Sequence, residues 1–167
     1  MSAPTSTPPA PAGPAPSGGE ALGRSQGGFS TKIHLRAEGH GRPITAVLTG
    51  GEHHEQIALE AVLDQGAIHR KGPGRPRLRP RRVAGDKGYS SPTARGRLRQ
   101  RGITPVIPSK SNERRNPHFD REAYRLRNRV ERMINRLKQY RRIATRYEKR
   151  AINYLAMLTI GMILLWI

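Results

Sequence analysis

Tyr124-Arg125-Leu126-Arg127-Asn128-Arg129-Val130-Glu131-Arg132-Met133-Ile134-Asn135-Arg136-Leu137-Lys138 is the stretch on which the reading of this chain turns. Its apolar residues recur at helical spacing and predict a long helix from about Arg121 to Arg142. At about 100° per residue, Leu126, Val130, Met133, Ile134 and Leu137 share an arc of roughly 100°, the core face. Tyr124, Arg127, Glu131 and Lys138 occupy a neighbouring arc of roughly 60°. Glu131 therefore stands where buried surface meets exposed, with Arg127 one turn before it and Lys138 two turns after. Two readings are open. Glu131 is either an i,i+4 ion partner on a solvated face or a rigidly held metal ligand flanked by cations that suit phosphates.

Outward from the helix, a second acid stands out. Val83-Ala84-Gly85-Asp86 reads as a short strand that ends on a carboxylate, the end at which α/β folds gather ligands. The plainer reading makes Asp86 a cap for the Lys87-Gly88-Tyr89 bend. Ser30 to Ala37 alternates at period two, Gly39 to Pro43 is a turn, and Ile44 to Thr49 is β-rich, so a hairpin is expected. A helix follows over Ile57 to Leu63, stopped by Gly66, and another opens at Ser91-Pro92 and ends at Gly102. Ile103 to Pro108 is an edge strand, as its prolines require. With a last helix from about Lys149 to Ile167, the pattern is a mixed α/β domain.

The chain has 167 residues, a single domain's worth, and no cysteine, which excludes disulfides, thiolate zinc sites and cysteine nucleophiles. Its net charge of +19 is uneven. Residues 1–69 hold four Lys+Arg against six acids, a net −2; residues 70–167 hold 27 against six, a net +21. An arginine-heavy surface of that sign calls for a polyanion, with DNA or RNA first. A stretch with six prolines and no charge, 1–19, reads as a disordered tail ahead of a domain over 20–167. No basic segment followed by an apolar run marks a secretory signal.

Tyr124-x2-Arg127-x3-Glu131-x6-Lys138 resembles the signature around the third catalytic acid of DDE-type bacterial insertion-sequence transposases. So do Ala21 to Ser25 with Gly27 to His34, Ala84-Gly85-Asp86-Lys87-Gly88-Tyr89, and Arg136 to Tyr147. The resemblance implies a ribonuclease-H-like mixed sheet flanked by helices, with Asp86 and Glu131 as catalytic, metal-binding acids. It implies two Mg2+ or Mn2+ ions in a complete enzyme that cleaves DNA strands and transfers them. Double-stranded DNA, as transposon ends and target, would be the partner. Arg127, Lys138 and Tyr124 would lie on that DNA, in a bacterial cytoplasm at the nucleoid.

One departure accompanies the match. The family's first Asp lies on a central strand ahead of the Gly-Arg-Ser segment, where this sequence has its proline-rich stretch. The expectation is thus a domain missing its first central strand and impaired as an isolated chain. A homodimer, or a partner chain supplying the missing N-terminal part, would complete it. The alternative is a non-catalytic basic nucleic-acid-binding protein.

Weaker signals complete the reading. Gly74-Arg75-Pro76-Arg77 carries the core of a minor-groove hook, so Arg75 and Arg77 join the DNA-contact candidates. Arg95, Arg97, Arg99 and Arg101 cannot share one helix face and read as phosphate contacts. His53-His54-Glu55 lacks the later histidine of a zincin and reads as a loop and helix start. Ala151 to Ile167 only just reaches bilayer-spanning length and reads as a buried helix rather than an anchor, so no membrane partner is expected.

Overall fold

A computed structural model describes residues 20–25, 28–68, 72–77 and 79–167; the tail expected over 1–19 lies outside them. Strand β1 (Gly23–Ser25) pairs with β2 (Gly28–Ala37), which pairs antiparallel with β3 (Pro43–Gly50), so the hairpin forms as expected. Helix α1 (Leu59–Gln65) follows a 3-10 turn over Glu55–Ala58 that His54 caps by accepting from the Gln56 N–H. Strand β4 (Arg82–Ala84) then leads through a 3-10 turn at Lys87–Tyr89 to α2 (Pro92–Gln100). Strand β5 (Thr104–Val106) pairs parallel with β4 alone, so its proline sits at an edge.

The alternation of β2 determines how the halves meet. Ile33, Leu35 and Ala37 pack on one apolar cluster, while Lys32, His34 and Arg36 turn to the other face. There Lys32 Nζ reaches Glu55 Oε1 at 3.0 Å, His34 meets Tyr89, and Arg36 donates to the Leu63 carbonyl at 3.0 Å. The mixed α/β class is as expected, but two points differ. The strands form a three-stranded antiparallel sheet and a separate parallel pair, not one continuous sheet, among the described residues. Each sheet has its own core. Ala46 and Leu48 pack with Met133, Leu137, Tyr154 and Leu158; Leu98, Ile103 and Ile107 pack with Leu59 and Leu63.

The long helix expected over 121–142 is three helices: α3 (Arg121–Arg125), α4 (Asn128–Leu137) and α5 (Arg141–Ala144). At the first break the backbone tightens to i→i+3 bonds, Arg127 N to Tyr124 O at 2.9 Å and Val130 N to Arg127 O at 2.8 Å. The extra winding takes Leu126 off the core face, and it is 49% exposed. Tyr140, with ψ 108°, makes the second break. Helix α6 (Ala151–Leu164) buries Tyr154, Leu158, Gly161 and Met162; no described helix is long and apolar enough to cross a membrane.

Candidate active site

Strand β4 ends at Ala84, and Asp86 follows two residues later, exposed and extended at φ −77°, ψ 179°. Its Oδ1 accepts the Gly88 N–H at 2.9 Å, capping the turn at Lys87–Tyr89. That is the plainer role read from the sequence. The turn is docked firmly. Gln56 donates to the Gly88 carbonyl at 3.3 Å, Ser91 donates to Gln56 Oε1 at 2.7 Å, and the Tyr89 hydroxyl meets His34. A Cβ on Gly88 would stand 2.9 Å from Asp86 Oδ1 and 3.3 Å from Glu55 Oε2. The two carboxylates therefore flank one small residue, and a side chain there would displace Asp86 Oδ1.

Electrostatics around Asp86 follow from this packing. Burial pushes the His34 imidazole below its ordinary value, against the raising influence of Glu55 and Asp86. Burial raises the Tyr89 phenol, and the Asp86 and Glu55 charges push the same way. Glu55 is held below the usual carboxylate range by its own backbone N–H and then by Lys32. The neighbourhood of Asp86 is thus a neutral His–Tyr pair beside an ionised Glu–Lys pair.

Glu131 occupies the first turn of α4. Its Oε1 accepts from Arg127 Nη2 at 2.5 Å, and the Arg127 guanidinium lies 5.5 Å from the Tyr124 ring. Phe119 backs that ring at 5.4 Å. The structure therefore brings Tyr124, Arg127 and Glu131 into one string. Here too the visible contact, an i,i+4 pair with the carboxylate half exposed, is the plainer of the two readings. Lys138 caps the end of α4, exposed and without a carboxylate partner among the described residues. Arg75 and Arg77 are exposed, with Arg77 also bridging Ile68 through its backbone.

Other arginines are placed differently from the phosphate contacts expected. Arg95 is only 12% exposed in its side chain. Its guanidinium donates to the carbonyls of Ser90, Ile107 and Pro108 at 2.9, 2.9 and 3.1 Å. Arg97 pairs with Glu60 at 3.0 Å and Arg101 with Asp64, tying α2 to α1. Three of these four charges are taken up within the fold.

Between β2 and β4 lies a groove of about 450 Å3. Its walls include Leu35 and Ala37 of β2, Val83 and Ala84 of β4, and Leu126 and Val130 of the split helix. Asp86 follows one wall by two residues and Glu131 follows another by one. No strand pairs with the groove-side edge of β2 beyond Ser30, or with β4 on the side away from β5, among the described residues. Oxygen donors suit Mg2+ or Mn2+. No group of three or more Asp, Glu or His is gathered as a metal set among the described residues, so the donor set is partial.

Sequence reasoning missed Lys32, His34 and Glu55 as the frame of the Asp86 turn. The signal was available: polar residues at every second position of a strand whose other face is apolar need partners on the polar side.

The family profile of the Transposase DDE domain matches residues 6–166. The chain belongs to the DDE transposase family. It is 36% identical over 131 residues to a Burkholderia cepacia protein assigned as the transposase for insertion sequence element IS402. That match covers 78% of this chain and 60% of the relative's length. No solved structure matches the chain.

Proposed function

We propose that this chain is the catalytic portion of an insertion-sequence transposase, acting in DNA transposition on double-stranded DNA. Asp86 and Glu131 are two of its metal ligands, and Arg127, Lys138, Tyr124, Arg75 and Arg77 contact DNA. A bound Mg2+ or Mn2+ pair would activate the attacking oxygen and stabilise the departing one. The protein's part is to hold Asp86 on its docked turn and Glu131 beside Arg127, and to grip phosphates with the neighbouring cations. The observation that carries the reading is that β4, which ends two residues before Asp86, and α4, which bears Glu131, both contribute walls to one groove, with neither carboxylate itself on its lining.

The same groove supports a ribonuclease-H-like sheet with its central strand absent from the described residues. Among the described residues β2 and β4 each leave an edge unpaired, and both contribute to a groove of mixed apolar and arginine-bearing walls, an arrangement that an added extended strand suits. That strand would join the two sheets and bring the acid that the donor set lacks. On this reading the described residues are an incomplete catalytic unit, and a central strand carrying the further acid would complete it.

Mn2+ binding followed by electron paramagnetic resonance tests the ligands without requiring turnover. The chain should retain Mn2+, and Asp86→Ala and Glu131→Ala should each release it. Whatever nicking of supercoiled DNA the chain performs should require metal and be lost in both variants. Variants that hold Mn2+ as the unmodified chain does, together with salt-sensitive DNA binding indifferent to metal, return the protein to a plain nucleic-acid binder.

A further inference from the structure

Helix α4 carries a second cationic face. Arg129, Arg132 and Arg136 share an arc of roughly 60°, centred roughly 150° around the helix from Arg127 and Glu131. That face borders a cavity of about 540 Å3, closed by the β2–β3 turn and the residues after α6. Gly41, at φ +89°, seats the turn on the helix; a Cβ there would stand 2.8 Å from Cβ of Arg129. Arg129 returns a hydrogen bond to the Gly39 carbonyl at 2.6 Å. Across the cavity, Trp166 donates its indole N–H to the Pro43 carbonyl at 2.8 Å, with the Arg42 guanidinium 5.1 Å from its ring.

The side-chain charge here is all of one sign. No acidic side chain lines the cavity, and none of Arg42, Arg129, Arg132 or Arg136 forms an ion pair among the described residues. Glu38, the acid of the turn, is occupied by the backbone N–H groups of His40 and Arg42 at 2.9 and 3.0 Å. Four arginines gathered around one concavity repel until an anion enters, and the planar guanidinium suits phosphate best. Arg129 and Trp166 are anchored by the backbone, so much of the site is preorganised.

We propose that this cavity is a second DNA-backbone site, holding phosphates of a DNA segment other than the one that meets Glu131. Arg132 and Arg136 take the phosphates, and the Trp166 indole packs against the neighbouring sugar. The inference rests on the DNA reading above but uses none of its catalytic groups.

Trp166 is the only tryptophan of the chain, so its emission reports this cavity alone. Adding a short DNA duplex to the full chain should change that emission and shield the indole from iodide. Arg132→Ala with Arg136→Ala should abolish the change and lower the salt slope of DNA binding by about two. Arg127→Ala with Lys138→Ala should leave the emission change in place. Duplex binding that leaves Trp166 emission and iodide quenching untouched overturns the site, while the proposed function stands. An unaltered slope in a folded double variant also overturns it, as does a response to tripolyphosphate with none to duplex. An absent metal effect in the Mn2+ and nicking experiments removes the proposed function and leaves this site standing. If the double variant does not fold, the emission of the unmodified chain still decides.

Discussion

The Tyr89 hydroxyl lies 3.3 Å from Nδ1 of the buried His34 ring, whose Nε2 lies 2.8 Å from the Thr49 hydroxyl. Through that ring the turn that begins at Asp86 is tied to the hairpin sheet. One imidazole thus helps set where a candidate metal ligand stands relative to β2 and β3.

Stability should therefore fall with acid in two windows. Burial depresses His34 below its ordinary 6.5. The unfolded chain takes up that proton first, and stability is lost as pH falls below about 6.5 toward the folded value. Glu55 is also depressed, but from 4.5, so its contribution persists until the pH drops below that value. Urea midpoints measured from pH 7.5 downward should show both steps, and His34→Gln should flatten only the upper one. An unchanged upper step would assign it to another group.

Glu131→Gln should separate stability from function. The Arg127–Glu131 pair is half exposed at the carboxylate, and such pairs contribute about 0.2–1 kcal/mol. The thermal midpoint should move little while Mn2+ retention is lost. A large drop in midpoint with Mn2+ still held would make Glu131 structural.

Gly161→Ala should destabilise, although alanine favours helix by about 1 kcal/mol. Its Cβ would collide with Cδ1 of the buried Ile143, and such overpacking costs about 1–3 kcal/mol. Ile143→Val removes the offending methyl group. In that background the same alanine should become neutral or stabilising by denaturant titration. A cost that persists there would place the clash elsewhere.

Arg95→Ala should be among the most damaging single changes. It strips donors from three carbonyls, with the side chain 12% exposed, and each abandoned partner costs about 1–3 kcal/mol. Lysine cannot span the three acceptors, so Arg95→Lys should rescue little. Arg99→Ala, at an exposed position, should stay within about 0.5 kcal/mol of the unmodified chain by the same titration.

The parts legible in the sequence were those with a local cause. Alternation over 30–37 and the Gly39–Pro43 turn produced the hairpin, and Ser91-Pro92 started α2, with the Ser91 hydroxyl accepting the Ala94 N–H at 3.1 Å. The string Tyr124–Arg127–Glu131 was read as one face and is one, through a helix break that period counting does not register. That break turns Leu126 from the core face to the β2–β4 groove, a placement that only the tertiary structure shows. The roles of Arg95, Arg97 and Arg101 were illegible for the same reason. Their partners lie in α1 and around β5, and a charge count treats every guanidinium as free. The Asp86 frame of Lys32, His34 and Glu55 spans β2 and the turn before α1, which no spacing rule connects.

The edges that β2 and β4 leave unpaired among the described residues bear on the life of the chain in a cell. An open edge does not discriminate by identity. It captures whichever extended polypeptide arrives first, other copies of this protein included. Where those edges stay uncovered, the protein should cluster into insoluble assemblies and become a client for chaperones and proteases.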